Sequence, residues 1–211
     1  TIGGKTMLFG NVSSPPNYFD LEIGKKVSGN REQCANLLKL TQYFNCIHFA
    51  GGYPVEPVDI HASVRHLDVV HDKLLLTDKE CHAYSLGKER VEHMYTNINS
   101  TSPLKHDVPM IDGCLRAIRK GQAVIVTPFT LAGAMAPVTM SGAVTLSIAE
   151  GLSAIALFQY VKPGCACVIG TFTSNVDMMS GAPAFGTPEY MRATQMTGQM
   201  ARFYGLPMRA S

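Results

Sequence analysis

Hydrophobic and polar positions in this chain follow a repeating order. A short β-branched run is followed by a Gly/Pro-rich break, a longer apolar stretch with helical spacing, and another short run. The clearest instance starts at Ala123. Ala123-Val-Ile-Val-Thr127 predicts a strand, Pro128 to Met140 a loop, Ser141 to Val161 a long apolar helix, and Ala166-Cys-Val-Ile-Gly-Thr171 a second strand. A loop from Phe172 to Gly186 then leads to Thr187-Pro188-Glu189. That triplet opens a helix, with Thr187 as cap, Pro188 at the first turn and Glu189 beside the positive helix end. Two strands joined by one helix form a βαβ unit, which predicts parallel strands and a right-handed crossover.

The same order runs through the rest of the chain. Helical spacing covers about Asn30 to Phe44 and Val58 to His71. A helix of about Gly87 to Tyr95 follows, and another is capped by Asp107 and closed by Lys120-Gly121. Strands are expected at Cys46–Ala50, Lys73–Thr77, Thr96–Ser100 and, after a helix ending at Gly205, Leu206–Ala210. Residues 1–27 read as an irregular N-terminal segment, and no hairpin signal is evident. The expected fold is α/β: residues 28–211 form a partial (β/α)8 barrel with parallel strands, a fragment of a longer chain. No Gly-x-Gly-x-x-Gly follows a strand, which argues against a dinucleotide fold. Gly4-Lys5-Thr6 matches the tail of a phosphate-binding loop by chance, because turns follow it where a helix is required.

Charge and composition narrow the classes. Eighteen Lys and Arg against sixteen Asp and Glu give +2 with no basic stripe, so nucleic acid is not an expected partner. The six cysteines have no metal or redox spacing and read as reduced thiols of a cytoplasmic protein. Ala123 to Val161 holds one charged residue, Glu150, in 39. Pro128, Gly133 and Pro137 break its first half, so a buried helix is expected and no membrane span. Such a helix needs cover, from the remainder of the chain or from a second copy in a homo-oligomer. Glu150 reads as structural. His61, His66 and His71 are five apart, so they fall on different sides of a helix and do not form a metal pair.

Ligands of parallel α/β folds gather at the carboxyl ends of the strands. Alternation along the strands predicts Asn97, Asn99, Thr101, Ile125, Thr127 and Phe129 facing inward, with Ile98, Val124 and Val126 under the helices. In the strand from Ala166, Val168 and Phe172 are expected under the helices and Thr171 and Thr173 inside. The resulting mouth is uncharged, lined by hydroxyls and amides with aromatic neighbours. It offers no paired carboxylates, no Ser–His arrangement and no clustered metal ligands. It suits a small organic cation held by ring faces and one carboxylate. Asn99, Thr127, Phe129, Phe172 and Thr173 are the candidate substrate-binding residues, and Asn175 and Asp177 the candidate catalytic ones.

The wording of several stretches resembles a known family. These are His48-Phe-Ala-Gly-Gly-Tyr-Pro-Val-Glu-Pro57, Thr127-Pro-Phe-Thr-Leu-Ala-Gly-Ala-Met-Ala-Pro-Val-Thr139, Gly170-Thr-Phe-Thr-Ser-Asn-Val-Asp-Met-Met-Ser-Gly-Ala-Pro-Ala-Phe-Gly-Thr-Pro-Glu-Tyr190 and Gln199-Met-Ala-Arg-Phe-Tyr-Gly-Leu-Pro207. Together they are similar to the trimethylamine methyltransferase family across nearly the whole chain. The resemblance implies a barrel enzyme that moves a methyl group from trimethylamine, or a quaternary amine such as glycine betaine, to the cobalt of a separate corrinoid protein. The cobalamin-type cofactor would ride on that partner, leaving no metal to bind here. Some members carry pyrrolysine, at a position expected just beyond Ser211. The helix after Lys73–Thr77 is shorter than the family's, and the family's later strands are expected after this chain. Two other readings remain: a non-catalytic module binding a cation or a partner, and an unrelated barrel enzyme holding an anion at the Thr187 helix start.

Overall fold

The computed structural model describes residues 7–83 and 94–210. They divide between two compact units, one within residues 7–83 and the other from residue 95 onward. Gly4-Lys5-Thr6, and the helix expected from Gly87, lie outside the described residues except for Met94 and Tyr95, which are in a strand.

The first unit opens with a hairpin, β1 (Asn17–Asp20) paired antiparallel with β2 (Lys25–Ser28). This corrects the irregular reading of residues 1–27. The turn has no Asn-Gly signal. It is closed by Asp20, whose Oδ1 accepts from the backbone N–H groups of Glu22 and Ile23 at 2.9 and 3.0 Å, while Gly24 takes a positive φ of 67°. Helix α1 (Arg31–Tyr43) is capped by Asn30, strand β3 is only Phe49–Ala50, and helix α2 runs Ala62–Leu76. Strand β4 (Glu80–Ala83) pairs parallel with β3.

The strand expected at Lys73–Thr77 is therefore the last turn of α2 and its cap. Val69 and Lys73 are buried four apart on one face, whereas Leu74 and Leu75 are exposed. Lys73 is 2% exposed and donates from Nζ to the Gly51 carbonyl at 2.5 Å. Burial pulls its pKa down to about 8.

The second unit supplies the parallel sheet. Strand β5 (Met94–Ile98) is followed by helix α3 (Val108–Arg119), capped by Asp107 and closed by Gly121 at φ 84°. Next come β6 (Val124–Val126), β7 (Phe129–Ala132) and helix α4 (Met140–Val161). Strand β8 (Cys167–Asn175), helix α5 (Pro188–Phe203) and strand β9 (Met208–Ala210) complete it. All these pairings are parallel: β5 with β6, β6 and β7 in succession with one flank of β8, and β9 with the other flank. Pro128 divides β6 from β7, since it brings no N–H to the ladder. The register continues across the break, with Val126 opposite Ile169 and Phe129 opposite Phe172.

One core lies between the sheet and its helices. Ile98, Val124, Val126, Cys167 and Ile169 meet Cys114, Ile118, Val144, Ile148, Ile155, Phe158, Ala193 and Ala201 there. Gly151 in α4 lets that helix approach, because a Cβ there would stand 3.2 Å from Ile169. By length and composition α4 could cross a membrane; in the fold, half of its most apolar stretch is buried inside the protein.

The face that β8 gives the helices is the reverse of the sequence expectation. Thr171, not Phe172, meets α5, its hydroxyl 3.3 Å from that of Thr197. Thr173 shares that parity, and its hydroxyl lies 2.6 Å from that of Thr130, both fully buried. Val168, Gly170 and Phe172 accordingly take the opposite face. β8 is buried on both sides, so no polar face in its sequence fixed the phase.

Candidate functional site

The face turned away from the helices is built in rows across the parallel strands. The lowest row holds Asn97, Ile125 and Val168 in register. One step along lie Asn99, Thr127, Gly170 and Arg209, the last paired opposite Gly170. The next row is aromatic, Phe129 opposite Phe172. Rows are spaced by about 6.6 Å, two residues of a strand, and neighbours within a row by about 4.8 Å.

The polar groups of the lower rows are tied together. Thr127 Oγ1 donates to Asn97 Oδ1 at 2.7 Å, and Asn97 Nδ2 donates to Asn99 Oδ1 at 3.0 Å. Thr127 leans across Gly170: a Cβ built on Gly170 would fall 2.2 Å from Thr127 Oγ1. Only glycine fits there, because the Thr127 hydroxyl occupies the space a side chain would take.

Above that row four rings gather. Phe172 stacks on Phe129 with centroids 5.0 Å apart, meets Phe185 at 4.9 Å, and meets Tyr190 edge-on at 6.4 Å. Tyr190 belongs to the first turn of α5, held by Thr187 Oγ1, which accepts from its backbone N–H at 3.4 Å. The start of α5 is thus capped from within, and Glu189 adds negative charge, both unfavourable to an anion there. Phe185 is 53% exposed, leaving ring surface open.

The expected site residues separate into two groups. Asn99, Thr127, Phe129 and Phe172 come together on the one face, with Phe172 there because of the corrected parity. Thr173 is turned to the helix side and bonded to Thr130, so it does not join them. Asn175 braces the loop: its Oδ1 accepts from the Thr187 hydroxyl at 3.1 Å, and its carbonyl accepts from Ala184 N at 3.0 Å. Asp177 is exposed and folded back on its own loop. It accepts from the Ser180 hydroxyl and from the backbone N–H groups of Met179 and Ser180, both at 3.2 Å. Those bonds, the Ser180 hydroxyl first, hold its carboxyl below the usual carboxylate range.

Three groups were missed in the sequence. Arg209 stood in a run read only as a strand, and its place on this face corrects the uncharged mouth. Phe185 and Tyr190 are brought over Phe172 by the loop between β8 and α5 and by a helix turn, which no strand periodicity reports. The sequence signal for Arg209 was the alternation Leu206-Pro-Met-Arg-Ala210, in which a lone cation interrupts a short apolar run.

Glu150 is structural, as its mid-helix place suggested. It is 2% exposed and accepts from the Ser100 and Ser102 hydroxyls, the latter at 2.7 Å, and from Leu104 N at 2.7 Å. The carboxylate fastens the loop that leaves β5, just past Asn99. All six cysteines are free thiols; Cys46 is exposed, outside the strand expected to hold it, and the other five are buried. Burial pushes the Cys114 and Cys167 thiols up to about 12. Among the described residues no three His, Cys, Asp or Glu side chains are grouped to hold a metal ion.

Comparison with known proteins agrees with the motifs. The chain is 31% identical over 229 residues to a glycine betaine methyltransferase of Desulfitobacterium hafniense, covering 99% of this chain and 48% of that protein. It is 34% identical over 107 residues to the trimethylamine methyltransferase MttB2 of Methanosarcina mazei, covering 51% of this chain and 22% of the relative. Against a proline betaine:corrinoid methyltransferase of Eubacterium limosum it is 28% identical over 116 residues, covering 55% and 24%. The chain thus spans about half or less of the length of these relatives. The sequence pattern of the trimethylamine methyltransferase (MTTB) family matches residues 1–95 and 92–211. A parallel α/β sheet with these strand-end motifs, matched from end to end by the family pattern, places the chain in the trimethylamine methyltransferase family.

Proposed function

We propose that this protein moves a methyl group from a methylated amine, trimethylamine or a quaternary amine such as glycine betaine, to the cobalt of a partner corrinoid protein in the cytoplasm. The sheet is read as part of a (β/α)8 barrel, whose strand ends form the substrate mouth. The observation that carries this reading is the four-ring cluster of Phe129, Phe172, Phe185 and Tyr190 above the Asn99–Thr127 row. Ring faces attract a methylated nitrogen carrying positive charge, by about 2 kcal/mol when water is excluded. A quaternary nitrogen carries no N–H and so needs no hydrogen-bond acceptor among the rings.

The corrinoid, held on its own protein, supplies a nucleophilic Co(I) to which the methyl group passes as the amine leaves. The residues here bind and orient. The rings fix the methylated nitrogen, and the Thr127–Asn97–Asn99 chain keeps the floor beneath it rigid, so that one methyl group faces outward. Asn175 and Asp177 act on the site at a distance, by setting the loop that carries Phe185.

The test uses the full-length polypeptide carrying this chain, mixed with a Co(I) corrinoid protein and either trimethylamine or glycine betaine. Appearance of the methylated corrinoid, followed by absorbance, is the expected result. Phe172→Ala is expected to lower kcat/KM at least tenfold, with most of the loss in KM. No methyl transfer from any methylated amine would sink the proposal.

A further inference from the structure

Arg209 stands out from every other group on the row-built face. Met208, beside it in β9, points at α5, since its Sδ is 3.3 Å from a Cβ built on Gly198, and it packs on the helix-side core. Alternation then turns Arg209 to the opposite face, in the row of Thr127 and Gly170. Its charge acts on Tyr190: burial raises the Tyr190 pKa and the nearby guanidinium opposes the rise. Arg209 therefore sits one row beneath the rings, beside Gly170.

This placement bears on which methylated amine the rings receive. A guanidinium next to a cation site repels a bare tetraalkylammonium ion. It attracts a ligand that carries a carboxylate on the same small skeleton, and its planar fork can bind both oxygens at once. In a betaine the methylated nitrogen and the carboxylate are one carbon apart. A nitrogen against Phe172 then leaves the carboxylate facing the row below, where the long Arg209 side chain spans the row spacing. Gly170 adds no side chain of its own between them, and the Thr127 hydroxyl lies over it.

Resting on the aromatic reading above, we propose that Arg209 is the specificity-determining residue that holds the carboxylate of a zwitterionic methylated amine. Its presence sets the site for betaines over carboxylate-free amines.

The experiment measures binding by calorimetry to the full-length polypeptide, with glycine betaine and choline as the two probes. Choline keeps the quaternary nitrogen and replaces the carboxylate by a hydroxyl-bearing carbon. Wild type is expected to bind glycine betaine at least tenfold more tightly than choline. Arg209→Gln should lose that tenfold for glycine betaine and hold or improve its choline affinity, and Arg209→Lys should recover part of the loss. Retained choline binding also shows that the variant is folded. Equal affinities in wild type, or equal loss of both ligands in Arg209→Gln, would overturn the role of Arg209 while leaving the aromatic site standing. Failure of wild type to bind either probe would overturn the aromatic reading itself.

Discussion

Gly170 is the position on the inner face where a single added carbon costs most. A Cβ there would meet Thr127 Oγ1 at 2.2 Å, its Cβ at 2.8 Å and its Cα at 3.0 Å. The hydroxyl could rotate away, but the backbone could not. Gly170→Ala is expected to cost about 1–3 kcal/mol, the usual range for overpacking, and to break the Thr127–Asn97 hydrogen bond; urea denaturation reads the first. Lys73 offers a second test. Its folded pKa is lowered from 10.5 to about 8. The unfolded chain then holds a proton that the folded protein lacks between those values. Stability contributed by this residue therefore rises as pH increases from about 8 to 10.5, by about 3 kcal/mol at 1.36 kcal/mol per unit. Cys34 faces it with a raised pKa and acts in the opposite sense. The difference between wild type and Lys73→Met, measured by denaturation across that range, isolates the lysine, and a flat difference would refute the shift.

Among the elements, Glu150 in α4 has the most to lose. Replacing it by Ala removes the acceptor for two serine hydroxyls and one backbone N–H, an expected loss of about 3 kcal/mol. Glu150→Gln keeps one carbonyl oxygen and should lose about 1 kcal/mol, both read from chemical denaturation midpoints. The elements also show what the sequence made legible. Helix starts at Asn30, Asp107 and Thr187 were readable because a capping side chain is a local signal. The phase of β8 was not, because Cys-Val-Ile-Gly-Thr offers apolar or hydroxyl groups to both faces. Lys73-Leu-Leu-Leu looked like a strand, since four residues are too few to show helical period. The hairpin at Asn17–Ser28 escaped because Asp20 makes its turn through a side chain. For the site, strand alternation found Asn99, Thr127 and Phe129, whereas Phe185, Tyr190 and Arg209 depend on which strand neighbours which.

At the scale of the whole molecule, the family was legible in long unbroken motifs. The two-unit division was not, since no change of composition marks it. Everything assigned to the methylated amine lies in the unit from residue 95 onward. Glycine betaine at a hundred times its Kd should raise stability by about 2.7 kcal/mol. Amide exchange is expected to slow in β8, β9 and α5 and to stay unchanged in the β1–β2 hairpin; slowing confined to the hairpin would place the ligand elsewhere. The pairing of β9 also has a bearing on assembly of the fold. Slipping that strand by one residue against β8 would drive a guanidinium into the slab of Ile, Ala and Met beneath α5 and leave a thioether in its place at the mouth. The penalty for desolvating an unpaired cation makes the slipped form prohibitive. The side chain proposed to choose the substrate would thus also act as a locating pin, keeping three short residues of strand in phase.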